Sequence, residues 1–251
     1  MDEMALRQAA GFLKDAGAVL VFAGAGLSAE SGVPTFRDAG GLWEGHRVED
    51  VATPEGFQRD PILVWRFYAE RQVALQKVKP NPGHFALASM ERAFPSFLLA
   101  TQNIDNLSEQ AGQTKLVKIH GDLMTLWCTR CTYEGLLEDP INPAGLTTRE
   151  NLPQCPACHA LARPAVVWFG EYLPPNTIEV AQEFAFQADC LLIVGTSGAV
   201  SGGYGLADIV KGRGGKVIEI NPNQTYLTGQ ADIVLRGPSS ICLPALLELS
   251  G

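Results

Sequence analysis

A glycine-rich turn after a buried strand constrains this chain more than any other feature of its sequence. Residues 18–22 form an apolar run of strand length, and Gly24 and Gly26 follow it directly. Glycines there allow the positive φ angles of a sharp turn and let backbone N–H groups approach a phosphate. With Ala29 in the third position, the pattern fits the G-x-G-x-x-G/A fingerprint of dinucleotide-binding folds. A purely structural turn remains the alternative on these residues alone.

The segment after the turn departs from the fingerprint of redox enzymes. That fingerprint requires an acidic residue about 20 positions later, at the end of a second strand. The acidic residues available, Asp38, Glu44, Glu49 and Asp50, lie in a stretch without strand character. The sequence therefore predicts dinucleotide binding and argues against ordinary hydride transfer.

Short apolar runs alternate with helical patterns along most of the chain. Further runs of strand length lie at residues 97–100, 116–119, 165–169, 190–194, 216–220 and 231–235. This alternation predicts an α/β fold, a Rossmann-like parallel sheet with helices on both faces. Ligands bind at the carboxyl edge of such a sheet. The polar segments expected there are 24–37, 101–106, 120–121, 195–198 and 221–223.

Changes in composition suggest how the chain divides. We assign residues 1–37, 76–124 and 163–251 to a Rossmann-like dinucleotide-binding domain. Residues 38–75 are interpreted as a cofactor loop with a helical insert. Residues 125–162, which hold four cysteines, are interpreted as a small zinc-binding domain.

Charge and hydropathy limit the partners and the location. The net charge of −8 disfavours nucleic-acid binding, which needs a basic face. The chain begins without the pattern of a signal peptide, and no apolar run approaches the roughly 18 residues that span a bilayer. We therefore expect a cytoplasmic monomer that binds neither nucleic acid nor membrane.

Four of the six cysteines form two close pairs. Cys128 with Cys131 and Cys155 with Cys158 have the spacing typical of a tetrahedral zinc site. Four thiolates would fill every coordination position of the ion, which predicts one structural Zn²⁺ rather than a catalytic one. Two disulfides or two redox pairs are the alternatives, and the paired spacing together with the expected cytoplasmic location disfavours them.

The order of the motifs resembles the sirtuins, NAD-dependent protein lysine deacylases. After the glycine turn and before the cysteine pairs come Gln102-Asn103-Ile104-Asp105 and His120-Gly121. Val167-Trp168-Phe169-Gly170-Glu171, Gly195-Thr196-Ser197 and Asn221-Pro222 follow them. The resemblance covers nearly the whole chain. It implies that NAD is consumed, because nicotinamide leaves and the acyl group of a modified lysine ends on ADP-ribose.

The resemblance also implies roles for the matching residues. His120 is the general base that deprotonates a ribose hydroxyl, and Asn103 holds a water or a ribose hydroxyl. Asp105 accepts from the nicotinamide carboxamide, Phe36 shields the reactive C1′, and Arg37 adds positive charge near the phosphates. The other residues expected to bind NAD are Gly24, Ala25, Gly26, Ser28, Ala29, Glu30, Pro34, Thr35, Trp43, Gln102, Ile104, Gly195, Thr196, Ser197, Asn221, Pro222, Asn223 and Cys242. His84 is interpreted as a packing residue at a helix start, and His46 as a loop residue without chemistry.

A tyrosine and an arginine suggest the acyl group. Tyr68 and Arg71 are three residues apart in a predicted helix, so they share a face. The pair resembles the one with which class III sirtuins, the desuccinylase and demalonylase class, bind an acidic acyl chain. There Arg71 would supply a fork for a carboxylate and Tyr68 a hydroxyl donor. Ala52 matches the small residue that widens the acyl pocket. A solvated arginine and a packed tyrosine on an amphipathic helix are the alternative.

The expected substrates are acyl-lysine proteins or peptides, with succinyl and malonyl favoured and acetyl retained. Residues 167–171 and 198–205 should flank the substrate backbone as added strands. The segment 198–205, Gly-Ala-Val-Ser-Gly-Gly-Tyr-Gly, departs from the family's aromatic residue, proline and two alanines. This departure is expected to affect peptide binding more than NAD binding. A deacetylase only, a protein ADP-ribosyltransferase and a non-catalytic sensor of NAD or ADP-ribose stay open.

Overall fold

The structure is a computed structural model that describes residues 2–34, 42–43, 45–200 and 202–250. In chain order the strands are β1 (Ala18–Ala23), β2 (Leu42–Trp43), β3 (His46–Arg47), β4 (Ser96–Thr101), β5 (Leu116–Lys118), β6 (Gly121–Cys128), β7 (Glu134–Leu136), β8 (Ala162–Val166), β9 (Cys190–Val194), β10 (Lys216–Ile220) and β11 (Ile233–Leu235). The helices are α1 (Glu3–Lys14), α2 (Val48–Val51), α3 (Pro54–Arg59), α4 (Pro61–Leu75), α5 (Pro82–Ala93), α6 (Leu107–Gln110), α7 (Thr177–Ala185), α8 (Leu206–Gly212) and α9 (Ser239–Ser250).

The chain divides into two compact units. The first comprises Met1–Thr35, Lys79–Ile119 and Pro175–Gly251, and the second comprises Phe36–Val78 and His120–Pro174. Each unit is described by itself below.

A parallel sheet forms the centre of the first unit. Its described strands run in the order β11-β10-β9-β1-β4-β5, and every neighbouring pair is parallel. On the central strand, Val21 lies opposite Leu99 on one side and Leu192 on the other. This confirms the predicted Rossmann-like sheet.

Helices cover both faces of this sheet. All six residues of β1 are buried, and alternate residues of a strand point to opposite faces. Val19 and Val21 pack into one cluster with Leu13 of α1, Leu87 of α5 and residues of α9. On the sheet's remaining side, α7 contacts β1, β4 and β5, and α8 contacts β9 and β10.

Turns at the carboxyl ends of the strands bring several predicted segments together. The N–H of Gly24 donates to the carbonyl of Val194, and the N–H of Gly26 donates to the carbonyl of Gly195, at 2.9 and 2.8 Å. Gln102 follows β4 and donates its N–H to the carbonyl of Ala23 at 2.9 Å. The turns after β1, β4 and β9 are therefore joined by backbone hydrogen bonds.

An antiparallel sheet distinguishes the second unit. In the described part of this unit, β6 lies between β7 and β8, with an irregularity between Asp122 and Leu126. The sequence interpretation of residues 165–169 as a strand of the parallel sheet is wrong, because β8 pairs antiparallel with β6. A short apolar run records burial but does not show which sheet the strand joins.

The helices of the second unit begin at clear signals. The side chain of Asp60 accepts from the N–H of Leu63 at 2.9 Å, and Pro61 opens α4. The side chain of Thr53 accepts from the N–H of Gly56 at 3.0 Å and caps α3. Proline is favourable at a first helical position because its fixed φ suits the helix. Across the described ranges, no helix is long and apolar enough to cross a bilayer.

Candidate active site

The glycine turn is shaped by a close approach between two backbones. A Cβ added at Gly26 would lie 2.7 Å from both Cα and the carbonyl oxygen of Gly195, and one added at Gly24 would lie 2.8 Å from Cβ of Thr196. Gly195 has a φ of +59°, in the left-handed region that favours glycine. The glycines are thus needed for the contact between the turns after β1 and β9.

A buried polar network follows the glycine turn. The hydroxyl of Ser28 donates to Oδ2 of Asp105 at 2.9 Å and accepts from Nδ2 of Asn103 at 3.1 Å. It also lies 3.3 Å from Nε2 of His84. Oδ1 of Asp105 accepts from the N–H of Leu107 at 3.0 Å. The structure therefore joins predicted NAD-binding residues from the turns after β1 and β4.

The tautomer of His84 follows from its partners. The N–H of Asn81 donates to Nδ1 of His84 at 3.2 Å, so Nδ1 holds a lone pair and the neutral ring carries its hydrogen on Nε2. His84 consequently donates to Ser28. Burial lowers the pKa of His84, and the negative charge of Asp105 opposes this shift only partly.

His84 belongs to the network and also caps a helix. It forms a capping box with Asn81 at the start of α5, which agrees with its interpretation as a residue at a helix start. The sequence interpretation missed its contact with Ser28, which is 56 residues away. The spacing from Asn81 to His84 indicates the helix start, and no local signal indicates the contact with Ser28.

The turns after β4, β9 and β10 form a second polar group. Nε2 of Gln102 donates to Oγ1 of Thr196 at 2.9 Å. Nδ2 of Asn221 donates to the carbonyl of Thr196 at 3.1 Å, and its Oδ1 accepts from the N–H of Asn223 at 3.1 Å. These bonds fix the orientation of the Asn221 carboxamide, which was predicted to contact the adenosine ribose.

A buried carboxylate supports the loop that carries Asn221. Glu219 on β10 is fully buried and accepts from Thr225, Thr228 and Arg236. Nη1 of Arg236 also donates to the carbonyl of Asn223 at 2.6 Å. Sequence reasoning did not single out Glu219 or Arg236.

Two more residues predicted to bind NAD, Cys242 and Glu30, lie in the first unit. Cys242 is fully buried in α9, and burial raises the pKa of its thiol. Its contact with adenine stays a prediction. Oε2 of Glu30 accepts from the N–H of Ser240 at 3.3 Å. Thr35, Phe36 and Arg37 lie outside the described residues.

In the second unit, the backbone of His120 is held by the end of β8 and the residue that follows it. The carbonyl of His120 accepts from the N–H of Val167 at 2.9 Å. Gly121 follows with a φ of +83°, and a Cβ there would clash with the carbonyl oxygen of Ala165. Only glycine fits this close crossing, so the His120-Gly121 pair reflects a backbone requirement as well as the predicted catalysis.

The predicted acyl-binding pair lies on α4. Tyr68 is fully buried, and its hydroxyl oxygen accepts from Nε1 of Trp168 at 3.0 Å. Burial raises the pKa of Tyr68 well above its ordinary value, so its hydroxyl keeps its hydrogen. The bond with Trp168 uses a lone pair of the oxygen and leaves that hydrogen to serve an acceptor.

Arg71 is a partly buried cation beside aromatic rings. Its guanidinium stacks over the ring of Phe67 and lies 5.2 Å from the ring centroid of Trp43. Nη1 donates to the carbonyl of Phe67 at 2.5 Å. Burial lowers the pKa of Arg71 to about 9, so the side chain is protonated at neutral pH.

The segment 167–171 is anchored at its middle and at its last residue. The N–H of Phe169 donates to the carbonyl of Ala52 at 3.0 Å. Glu171 forms an ion pair with Arg163 at 2.5 Å and accepts from the N–H of Trp168 at 2.8 Å. The side chain of Phe169 is exposed, whereas that of Trp168 is buried.

The four paired cysteines form one cluster. Their sulfur atoms lie within 4.8 Å of one another, and the N–H groups of Cys131 and Arg130 both donate to Sγ of Cys128 at 3.3 Å. These bonds, that from Cys131 foremost, lower the pKa of Cys128 to about 6. Four sulfurs at this separation suit a tetrahedral zinc ion. Cys128, Cys131, Cys155 and Cys158 thus fit the predicted structural site.

Comparisons with known proteins agree with this arrangement. The sequence pattern described as the Sir2 family matches residues 24–202. An NAD-dependent protein deacylase of Thermococcus sibiricus is 47% identical over 91% of this chain and 90% of its own length. One from Thermococcus kodakarensis is 45% identical over 97% of this chain and 95% of its own length. A solved structure of a Sir2 homologue in complex with NAD is 40% identical with a TM-score of 0.88, covering 99% of this chain and 93% of its own.

Proposed function

The chain belongs to the Sir2 family, and on that basis we propose that it uses NAD to remove succinyl and malonyl groups from lysine side chains, with acetyl accepted as well. The products are nicotinamide, the unmodified lysine and O-acyl-ADP-ribose. The relatives' name, NAD-dependent protein deacylase, supports the general reaction. The preference for acidic acyl groups is our finer proposal.

The proposed reaction has two stages. The acyl oxygen of the modified lysine attacks C1′ of the nicotinamide ribose, and nicotinamide leaves. His120 then takes the proton of a ribose hydroxyl, whose oxygen attacks the acyl carbon. The C–N bond to lysine breaks and the amine leaves with a proton. One water then adds to the acyl carbon, so that the former acyl oxygen stays on C1′ as a hydroxyl and the acyl group stays on the ribose oxygen. A histidine suits this task because its ordinary pKa, about 6.5, lies near neutral pH. Asn103 is assigned to hold a water or a ribose hydroxyl, and Asp105 to accept from the nicotinamide carboxamide.

Pre-organisation of the first unit supports NAD binding. Asp105 is held by Ser28 and by the N–H of Leu107, so its carboxylate is fixed before nicotinamide arrives. The Asn221 carboxamide is held by Thr196 and Asn223. Groups held in place lose less conformational entropy when a ligand binds.

Zinc has a structural role in this proposal. Cys128, Cys131, Cys155 and Cys158 would hold one ion, and four thiolates leave it no open position for a water or a substrate. Bound there, an ion would supply folding free energy to the second unit and would take no part in the reaction.

The acyl preference rests on the paired donors of α4. Arg71 is a cation with aromatic rings beside it, and Tyr68 is a buried hydroxyl that keeps its hydrogen. A carboxylate accepts hydrogen bonds only, and charge-assisted bonds to it are about twice as strong as neutral ones. An acetyl group offers no carboxylate to either donor. The Tyr68–Arg71 pair is the single observation that carries the preference.

One peptide carrying acetyl-, succinyl- or malonyl-lysine tests the proposal. Turnover is measured with and without NAD, and products are identified by mass spectrometry. We expect NAD-dependent release of each acyl group, one nicotinamide per lysine freed, and the highest kcat/KM on succinyl and malonyl. Turnover of acetyl alone would indicate a deacetylase only. ADP-ribose on protein without O-acyl-ADP-ribose would indicate a transferase.

The variant His120→Ala tests the mechanism. Loss of the general base should remove turnover of all three peptides, because the ribose hydroxyl is then not deprotonated. ADP-ribose binding, measured by calorimetry, should persist and would show that the variant is folded. Undiminished turnover would contradict the assigned role of His120.

A further inference from the structure

The ion pair between Arg163 and Glu171, the last residue of the segment 167–171, has no role in the reaction described above. Nη1 and Nη2 of Arg163 contact the two carboxylate oxygens of Glu171 at 2.5 and 2.9 Å. Nη2 also donates to the carbonyl of Val166 at 2.7 Å. The two side chains are only 12% and 22% exposed. Buried pairs of this kind are weak evidence for stability, because desolvation offsets their attraction.

Both members of this pair contact Trp168, Arg163 at the ring and Glu171 at the backbone. The guanidinium carbon of Arg163 lies 3.4 Å from the ring centroid of Trp168. Oε2 of Glu171 accepts from the backbone N–H of Trp168 at 2.8 Å, and the N–H of Glu171 donates to the carbonyl of Trp168 at 3.1 Å. The ring of Phe57 lies 5.2 Å away. Trp168 is therefore held at its indole ring and at its backbone.

The indole N–H in turn determines which hydrogen bonds the Tyr68 hydroxyl accepts and donates. Nε1 of a tryptophan can only donate, so the 3.0 Å bond to Tyr68 makes the tyrosine oxygen its acceptor. The single hydroxyl hydrogen of Tyr68 is then directed to another acceptor. A hydroxyl that accepts one hydrogen bond also becomes a better donor, because bonded groups polarise one another.

We propose that Arg163 and Glu171 are positioning residues for recognition of an acidic acyl group. They hold Trp168 so that its indole N–H occupies the Tyr68 oxygen, which presents the Tyr68 O–H to a succinyl or malonyl carboxylate. This inference rests on the proposed function. It adds specificity determinants that do not themselves touch the acyl chain.

A double-mutant cycle on Trp168 and Tyr68 tests the connection. Trp168→Phe keeps an aromatic ring and removes the N–H, and Tyr68→Phe removes the hydroxyl. The readout is the ratio of kcat/KM on succinyl-lysine to kcat/KM on acetyl-lysine in the same peptide. We expect Trp168→Phe to lower this ratio about fivefold, the effect of one ordinary hydrogen bond. In the Tyr68→Phe background it should change the ratio no further.

Arg163 variants test the positioning role. Arg163→Met should lower the same ratio, and Arg163→Lys should restore it only in part, because an ammonium lacks the planar fork that reaches both Glu171 and Val166. Arg149→Met is the matched control, since Arg149 is an exposed arginine of the same unit. It should leave the ratio unchanged. Equal losses on both substrates in Arg163→Met would overturn the proposal, because they would indicate a general structural role.

An NMR measurement covers the case in which Arg163→Met does not fold. The indole N–H signal of Trp168, one of four tryptophans in the chain, is assigned from its absence in Trp168→Phe. We expect it to move upfield in Tyr68→Phe and in folded Arg163→Lys. No movement in either variant would overturn the proposal.

Wild-type turnover tests the proposed function separately. A wild-type enzyme without desuccinylation refutes both the proposed acyl preference and this inference, whereas desuccinylation with unchanged ratios in the variants refutes only this inference.

Discussion

The hydroxyl of Ser28 donates to Oδ2 of Asp105 at 2.9 Å, across 77 positions of sequence. This bond joins the turn after β1 to the turn after β4 and places a fixed carboxylate among the residues assigned to NAD. Ser28 also accepts from Asn103 and His84. One hydroxyl therefore orders three side chains of the candidate site.

Replacing Ser28 should reduce both stability and turnover. In Ser28→Ala the buried Asp105 loses a donor and His84 loses its acceptor, and an unsatisfied buried polar group costs about 1–3 kcal/mol. We expect a loss of that size in the free energy of urea unfolding and a lower kcat on every acyl peptide. Ser89→Ala is the control, because its hydroxyl accepts an exposed bond from Arg92. Equal effects of the two variants would contradict the network.

The pH dependence of stability should reveal His84. Because burial lowers its pKa below the ordinary 6.5, the unfolded chain binds this proton more readily than the folded protein does. The stability due to His84 is then fully present above about pH 6.5 and is lost as the pH falls through the lowered value. The advantage of the wild type over His84→Gln should shrink between pH 7 and pH 5. An advantage that grows on acidification would contradict this sign; His159→Gln, at an exposed histidine, supplies the baseline.

Gly26 and Gly11 should respond to alanine in opposite ways. At Gly26 a Cβ would lie 2.7 Å from the backbone of Gly195, and overpacking of this kind costs about 1–3 kcal/mol. Gly26→Ala should also weaken NAD binding, measured by calorimetry. Gly11 lies within α1 with nothing within 4 Å of its Cβ position, so Gly11→Ala should stabilise by about 0.5–1 kcal/mol. An unaffected Gly26→Ala would refute the close-approach argument.

Zinc should bind once per chain and support the second unit. Elemental analysis is expected to find one zinc ion in the wild type and none in Cys131→Ser, which also melts at a lower temperature. Cys190→Ala removes a buried cysteine of β9 outside the cluster and should retain the ion. Zinc retained in Cys131→Ser, or lost in Cys190→Ala, would show that the four cysteines are not the ligands.

Local sequence patterns predicted much of this fold. The apolar runs of β1, β4, β9 and β10 are continuous and bounded by turn residues, so their positions and parallel pairing followed from the pattern. The cysteine cluster could be predicted equally well, because the spacing of the two cysteine pairs is typical of zinc ligands. The wrongly placed run at 165–169 is apolar too, but the sheet that a strand joins depends on distant partners, here β6.

The sequence did not predict contacts between residues that are far apart along the chain. His84 and Ser28, or Arg163 and the Trp168 indole, meet only after the chain has folded. Arg163 is an ordinary polar residue in the sequence, and its relation to Tyr68 passes through the side chain of Trp168. Tyr68 and Arg71 were identified because helical spacing is local, whereas the bond that occupies the Tyr68 oxygen comes from 100 positions away.

The central claim is that Arg71 recognises an acidic acyl group. The most direct measurement is kcat/KM of Arg71→Met on one peptide with succinyl- or acetyl-lysine, beside Arg66→Met as an exposed control on the same helix. Loss of a bond between charged groups costs about 1.5–3 kcal/mol. We therefore predict a fall of about 10- to 100-fold on succinyl-lysine, little change on acetyl-lysine, and no change in selectivity for Arg66→Met. Equal losses of Arg71→Met on both peptides would contradict the account.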